Sequence, residues 1–164
     1  MKLKIFNSVG LNMTRLFKFN QLFRIQFYNF NKKMSVSRFN SNKLPKPIAP
    51  YSIATLIDMK DQLMIVTSGI IGLDNNSNLI SDDIEEQTLR CLDILKTIID
   101  ENKGTLDDVV KVNLYVTNLD DFSKVNAVYE KVFTNNYPAR TCVQVSRLPK
   151  NAVVELEATI IVKK

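Results

Sequence analysis

The chain contains no histidine. That absence excludes His-containing zinc sites and every Ser-His or Cys-His catalytic pair, which is more chemistry than any single motif here could propose. Cysteine is scarce too. Cys91 and Cys142 are the two thiols, too few for the disulfide framework of a small secreted domain. Of four glycines, Gly69, Gly72 and Gly104 fall after residue 43, and neither a phosphate-binding loop nor a dinucleotide fingerprint is present. No window approaches the roughly 18 uninterrupted apolar residues of a spanning helix, which argues against a membrane-embedded protein.

Acidic residues are missing from one stretch. Residues 1–43 carry nine cations (Lys2, Lys4, Arg15, Lys18, Arg24, Lys32, Lys33, Arg38 and Lys43) and no Asp or Glu. Residues 44–164 hold 13 bases against 17 acids, so the net charge of +5 divides into +9 and −4. The basic surplus therefore belongs to the N-terminal stretch, and the remainder lacks the basic, aromatic-interleaved stripe that RNA binding wants. Cations spaced among Phe, Leu, Asn and Ser match the composition of an organelle transit peptide, mitochondrial first and plastid second. Arg15, Lys18 and Arg24 break up the compact apolar core that a secretory signal needs. Two alternatives stand beside targeting: an incidental extension with translation starting at Met34, which would leave the protein cytoplasmic, and an RNA-binding or membrane-surface arm.

What is there organises as a basic, targeting-like, disordered extension over residues 1–43 and one domain of ordinary size over 44–164. "NKLPKPIAP" reads as an extended Pro-rich linker into that domain. Ser52–Ile57 and Leu63–Thr67 are β-forming runs around a polar turn at Asp58–Gln62, a hairpin signal. In "DDIEEQTLRCLDILKTIIDENKG", positions 84, 88, 91, 92, 95, 98 and 99 form a helical stripe. Asp82 with Glu85 resembles a capping box, and Gly104 is placed to end the helix. "VVKVNLYV" alternates like a half-buried strand, with Val110, Val112, Leu114 and Val116 on one face. Asp120 can cap a second helix with the stripe Phe122, Val125, Tyr129, Val132 and Phe133. Strands over Arg140–Ser146 and Val153–Val162 flank the turn "RLPKN". The order β-β-α-β-α-β-β predicts an α+β fold, a mixed sheet with two helices on one face. Its strands carry apolar residues at both phases, so the uncovered face predicts self-association.

Few residues here suit chemistry. "TSGIIG" ends a strand, and its glycines either let backbone N–H groups approach a ligand or make an ordinary turn or bulge. Period-2 geometry puts Arg140, Cys142 and Gln144 on one face, and Glu155 and Glu157 on one face of the following strand. A buried Arg140 would need a carboxylate, supplied either by a ligand or by a structural Arg–Glu pair across a hairpin of the last two strands.

"YPARTCVQVSRLPKNAVVELEATIIV" closely resembles the C-terminal signature of the RidA/YjgF family, the reactive-intermediate deaminases. The likeness continues upstream through "KVNLYVTNLDDFSKVNAVYEKVF", "TSGIIGLD" and "IAPYS", in order and with similar spacing over residues 46–164. The resemblance implies a chorismate-mutase-like homotrimer with clefts between subunits. It implies hydrolysis of 2-imino acids and their enamine tautomers to 2-oxoacids and ammonia, with neither a metal nor an organic cofactor. Members have also been described as ribonucleases or translation inhibitors, and a non-catalytic, carboxylate-binding or chaperone-like trimer is a third reading. By similarity, Arg140 grips the substrate carboxylate through two parallel N–H bonds, and Glu155 orients or activates water. Cys142 lies where backbone groups position the substrate, while Tyr51, Ser68 and Gly69 match pocket residues. Asn126 matches an asparagine of the second helix, and the alternative role is a buried capping or packing amide. Ile70 stands where the family usually has Gln, and about four extra residues between Tyr51 and Ser68 imply a longer turn at Met59–Gln62.

Overall fold

Two six-residue runs open the main sheet. The computed structural model describes residues 34–164, and in it β2 (Ala54–Met59) and β3 (Gln62–Thr67) pair antiparallel up to Met59–Gln62. The turn between them is only Lys60–Asp61, with Lys60 at φ 29°. The extra residues expected in a long loop are therefore paired strand, which satisfies their backbone groups. A further strand, β1 (Ser35–Phe39), adds to β2 and is drawn from residues that composition had assigned to the basic extension. Residues 1–33, including most of the targeting-like stretch, lie outside the described residues.

The two-residue β4 (Ile70–Ile71) pairs with the last strand, and helix α1 (Ile84–Glu101) follows. All seven stripe positions of α1 are buried, joined by Gln87 and Ile94. Each large aliphatic side chain among them contributes about 1.5–3 kcal/mol of apolar burial. The cap is Asp83 and not Asp82. The Asp83 carboxylate accepts from the backbone N–H of Glu85 and Glu86 at 2.8 and 3.0 Å, an arrangement that stabilises a helix start by about 1 kcal/mol. At the other end the Gly104 N–H returns to the Ile99 carbonyl, so the helix does stop there.

Strand β5 (Val109–Val116) buries Val109, Val112, Leu114 and Val116, whereas Val110 is 46% exposed. A register shift between Val109 and Lys111 accounts for this, because one extra residue reverses the alternation before it. Asn118, and not Asp120, supplies the next cap, accepting from the Asp120 N–H within a short 3-10 turn ahead of helix α2 (Phe122–Val132). Val128 joins Val125, Tyr129 and Phe133 in the core, while Phe122 stays largely outside it.

Strands β6 (Ala139–Gln144) and β7 (Val154–Lys163) do not form a hairpin. β6 pairs parallel to β5 at the sheet edge, and β7 lies antiparallel between β3 and β5, giving the order β1-β2-β3-β7-β5-β6. The fold is α+β, a mixed sheet with both helices on one face. Val154, Leu156, Ala158, Ile160 and Val162 of β7 turn toward the helices. The opposite face presents Ile57, Met64, Val66, Ile161 and Val143 with the polar side chains of Asn113, Tyr115, Glu155 and Glu157, and no described element covers it.

Candidate active site

Arg140 is the second residue of β6 and sits opposite Val112 of β5, so its side chain rises on the helix side of the sheet. There α2 receives it. Phe122, Asn126 and Tyr129, at helical spacings of four and three, share one face of α2. The Arg140 Nη2 donates to Asn126 Oδ1 at 2.7 Å, and the guanidinium lies 4.6 Å from the Tyr129 ring centre and 5.5 Å from that of Phe122. Stacking on aromatic faces fixes the plane of a guanidinium without using its N–H groups. No carboxylate pairs with it among the described residues. Beside it Asn126, Tyr129, Glu130, Tyr137 and Pro138 line a cleft of about 310 Å³. A held cation with free donors at such a mouth suits a small anion, and a carboxylate above all.

Cys142, two residues on, points the same way and packs against the core. Burial pushes its thiol up, with Arg140 pulling in the opposite direction. Such a thiol is a weak nucleophile near neutrality. The second thiol, Cys91, is fully buried, donates to the Ile70 carbonyl at 3.2 Å and is pushed far up by that burial.

Glu155 is on the other face. It stands opposite Tyr115 of β5 and Ile71 of β4, so the sheet separates it from Arg140. The structural Arg–Glu pair across a hairpin, one of the two alternatives open in the sequence, is not formed, because β6 and β7 are not neighbours. Glu155 is half-buried, and burial followed by the charge of Glu157 raises its carboxyl above the ordinary glutamate range. Its carboxyl group lies directly over Gly69, where an added Cβ would come within 2.7 Å of the carboxyl carbon. Gly72 is likewise crowded, against the backbone of Gln87 in α1. The glycines of "TSGIIG" thus answer close approach, and none has a positive φ.

Ser68 and Gly69 are held by the hairpin: the Ser68 N–H donates to Ile53 O at 2.9 Å and its hydroxyl to Ser52 O at 2.7 Å. With Tyr51, Ile70 and Ile94 they line a small pocket of about 50 Å³. Tyr51 is exposed, and its hydroxyl accepts from the Ile48 N–H at 3.4 Å. Ile70 is buried in the core, so the residue that replaces a polar one packs as an ordinary apolar side chain.

The site residues therefore gather into two constellations. Arg140, Asn126 and Cys142 lie on the helix side of the β6 edge, and Glu155 over Gly69 lies on the open face, with Ser68 and Tyr51 beside that glycine. The roles of Phe122 and Tyr129 were missed in the sequence, where both read as core stripe. An asparagine between two aromatics on one helix face, ahead of a strand-opening arginine, was the available signal. Among the described residues no three Cys, Asp or Glu side chains converge as a metal site would need.

Residues 41–162 match the model of a family described as Endoribonuclease L-PSP. This chain belongs to the L-PSP (RidA/YjgF) family. A RutC family protein of Pyrococcus abyssi is 43% identical to it over 119 residues, 72% of this chain and 91% of that one. A protein of Salmonella typhimurium named 2-iminobutanoate/2-iminopropanoate deaminase is 37% identical over 117 residues, 70% of this chain and 88% of the relative. The crystal structure of E. coli TdcF with bound serine superposes with a TM-score of 0.66 at 30% identity, covering 78% of this chain and 98% of that one. The family match therefore runs from residue 41, after β1, to residue 162 within β7.

Proposed function

We propose that this L-PSP protein hydrolyses 2-imino acids and their enamine tautomers to 2-oxoacids and ammonia, in clefts between copies of a homotrimer. The observation that carries the reading is the Arg140 guanidinium, fixed by Asn126 and two aromatic rings, unpaired with any acid among the described residues, and lining a cleft. The Salmonella relative's name and the serine bound to TdcF, itself a small carboxylate, support it. Arg140 and Glu155 stand on opposite faces, so a second copy has to bring a carboxylate like Glu155 to an arginine like Arg140. The uncovered face of the sheet gives such a copy a place to dock.

An enamine first tautomerises to the imine. Arg140 then holds the substrate carboxylate and sets the C=N carbon beside a water. That water attacks the carbon, its proton passing to Glu155, and the nitrogen takes up a proton to give a carbinolamine. The C–N bond breaks, ammonia departs and the oxygen becomes the carbonyl of the 2-oxoacid. Positioning plus one acid–base group suffices, because imines already hydrolyse in water.

The test generates 2-iminobutanoate in situ from threonine with a pyridoxal-phosphate threonine dehydratase and follows 2-oxobutanoate, with semicarbazide as the competing trap. Wild type should accelerate release and Arg140→Ala should not; equal rates would overturn the reading. Loss of turnover in Glu155→Gln with ligand binding kept separates an enzyme from a carboxylate-binding trimer. RNA cleavage that survives in highly purified protein and is lost in Arg140→Ala would favour the ribonuclease instead.

A further inference from the structure

Glu157 shares the open face with Glu155, two residues along β7, where side chains of one phase stand side by side. The two carboxylates are treated very differently. Glu157 Oε1 accepts a hydrogen bond from Asn113 Nδ2 at 2.8 Å and another from the Tyr115 hydroxyl at 3.0 Å, both from the neighbouring β5. Two donors on one carboxylate oxygen hold that group in one place on the sheet. The Tyr115 hydroxyl in turn holds its own proton more firmly, first because it donates to Glu157. Glu155 has no such donors among the described residues. It rests over Gly69, half out of water.

We propose that Glu157 is a positioning residue that acts through Glu155: pinned by Asn113 and Tyr115, it keeps a fixed negative charge beside the carboxylate that is to take a proton. The inference rests on the reading of Glu155 as proton acceptor. A free glutamate is a poor base toward water near neutral pH, and a base improves as its proton affinity approaches the working pH. Burial supplies part of that rise, and a like charge held in place two residues along the strand supplies a second part. The titratable groups facing Glu155 are Tyr115 from β5, Glu157 from its own strand and, through the sheet, the Cys91 thiol of α1. β4 contributes only uncharged residues. Lys111, the cation of that face on β5, is turned to Thr141 on β6, to which it donates at 2.7 Å.

The experiment reads the carboxylate directly. The full chain is labelled with ¹³C at the glutamate carboxyl carbons and titrated by NMR, with Glu155 identified by the signal lost in Glu155→Gln. The Glu155 midpoint should fall in Glu157→Gln and hold in Glu157→Asp, which restores the charge. In wild type it should also fall as NaCl is raised from 20 to about 500 mM, because salt screens a like charge and leaves burial untouched. A folded Glu157→Gln with the wild-type midpoint would overturn the proposal. Should that variant not fold, a wild-type midpoint indifferent to salt overturns it alone. These arms do not depend on turnover, so they stand apart from any failure of the deaminase reading. In active protein the acid limb of the kcat/KM profile should move to lower pH in Glu157→Gln, whereas a merely structural Glu157 would change its height and leave its position alone.

Discussion

Gly69→Ala isolates the contact between the candidate base and the strand end beneath it. The new Cβ would lie 2.7 Å from the Glu155 carboxyl carbon and 3.2 Å from its Cγ, against about 3.5–4.0 Å for ordinary carbon contact. The Glu155 Oε1 would be closer still, so the carboxyl group must retreat by more than about 0.8 Å. The backbone at Gly69 tolerates alanine, since its φ is not positive, and the atoms that clash end a side chain that can swing toward solvent. The fold should thus lose little, within about 1 kcal/mol, the low end of what overpacking costs. Catalysis should lose much more, because displacing a reacting group by about 1 Å can cost on the order of 100-fold. The assay is 2-oxobutanoate release from in situ 2-iminobutanoate, with thermal melting as the control. A variant with the wild-type melting temperature and wild-type kcat/KM would refute the idea that Glu155 works from above Gly69.

Three other outcomes are expected. Phe122→Leu removes one of the two rings beside Arg140, at a residue that is 39% exposed. It should raise KM several-fold with little change in kcat or melting temperature, since an exposed cation–π contact is worth about 0.5–1 kcal/mol. Cys142→Ser should keep most activity, as followed by the same assay, because burial holds that thiol protonated; complete loss would make the thiol a participant. Glu155→Gln should raise the melting temperature at neutral pH. The folded chain raises the Glu155 carboxyl, so its ionised form costs stability above the folded midpoint, and that cost fades as pH falls through the ordinary glutamate range. Melting curves between pH 4 and 8 check the sign, and a constant difference between variant and wild type would contradict it.

Periodic elements were legible in the sequence and pairings were not. The α1 stripe from Ile84 to Ile99 follows from apolar spacing, since a helix is set by local contacts, and every predicted position is buried. The caps slipped by one or two residues because Asp82 and Asp83, or Asn118 and Asp120, offer similar acceptors, and tertiary packing decides between them. Val110 was misplaced by a register shift that leaves no compositional mark. The largest error was to read β6 and β7 as a hairpin. The turn "RLPKN" fits one, yet β6 runs parallel to β5, a non-local choice made by the sheet as a whole. The roles of Arg140, Glu155, Tyr51, Ser68 and Gly69 came from resemblance. Which side of the sheet each occupies came only from the register, and that register replaces an internal ion pair by two separated half-sites.

That separation reaches into genetics. A chain lacking its guanidinium still presents a sound carboxylate, and a chain lacking its carboxylate still presents a sound guanidinium. In the proposed homotrimer, two differently crippled copies made in one cell would assemble some intact clefts that neither builds alone, so damage at these two positions should be recessive to each other as well as to the normal copy.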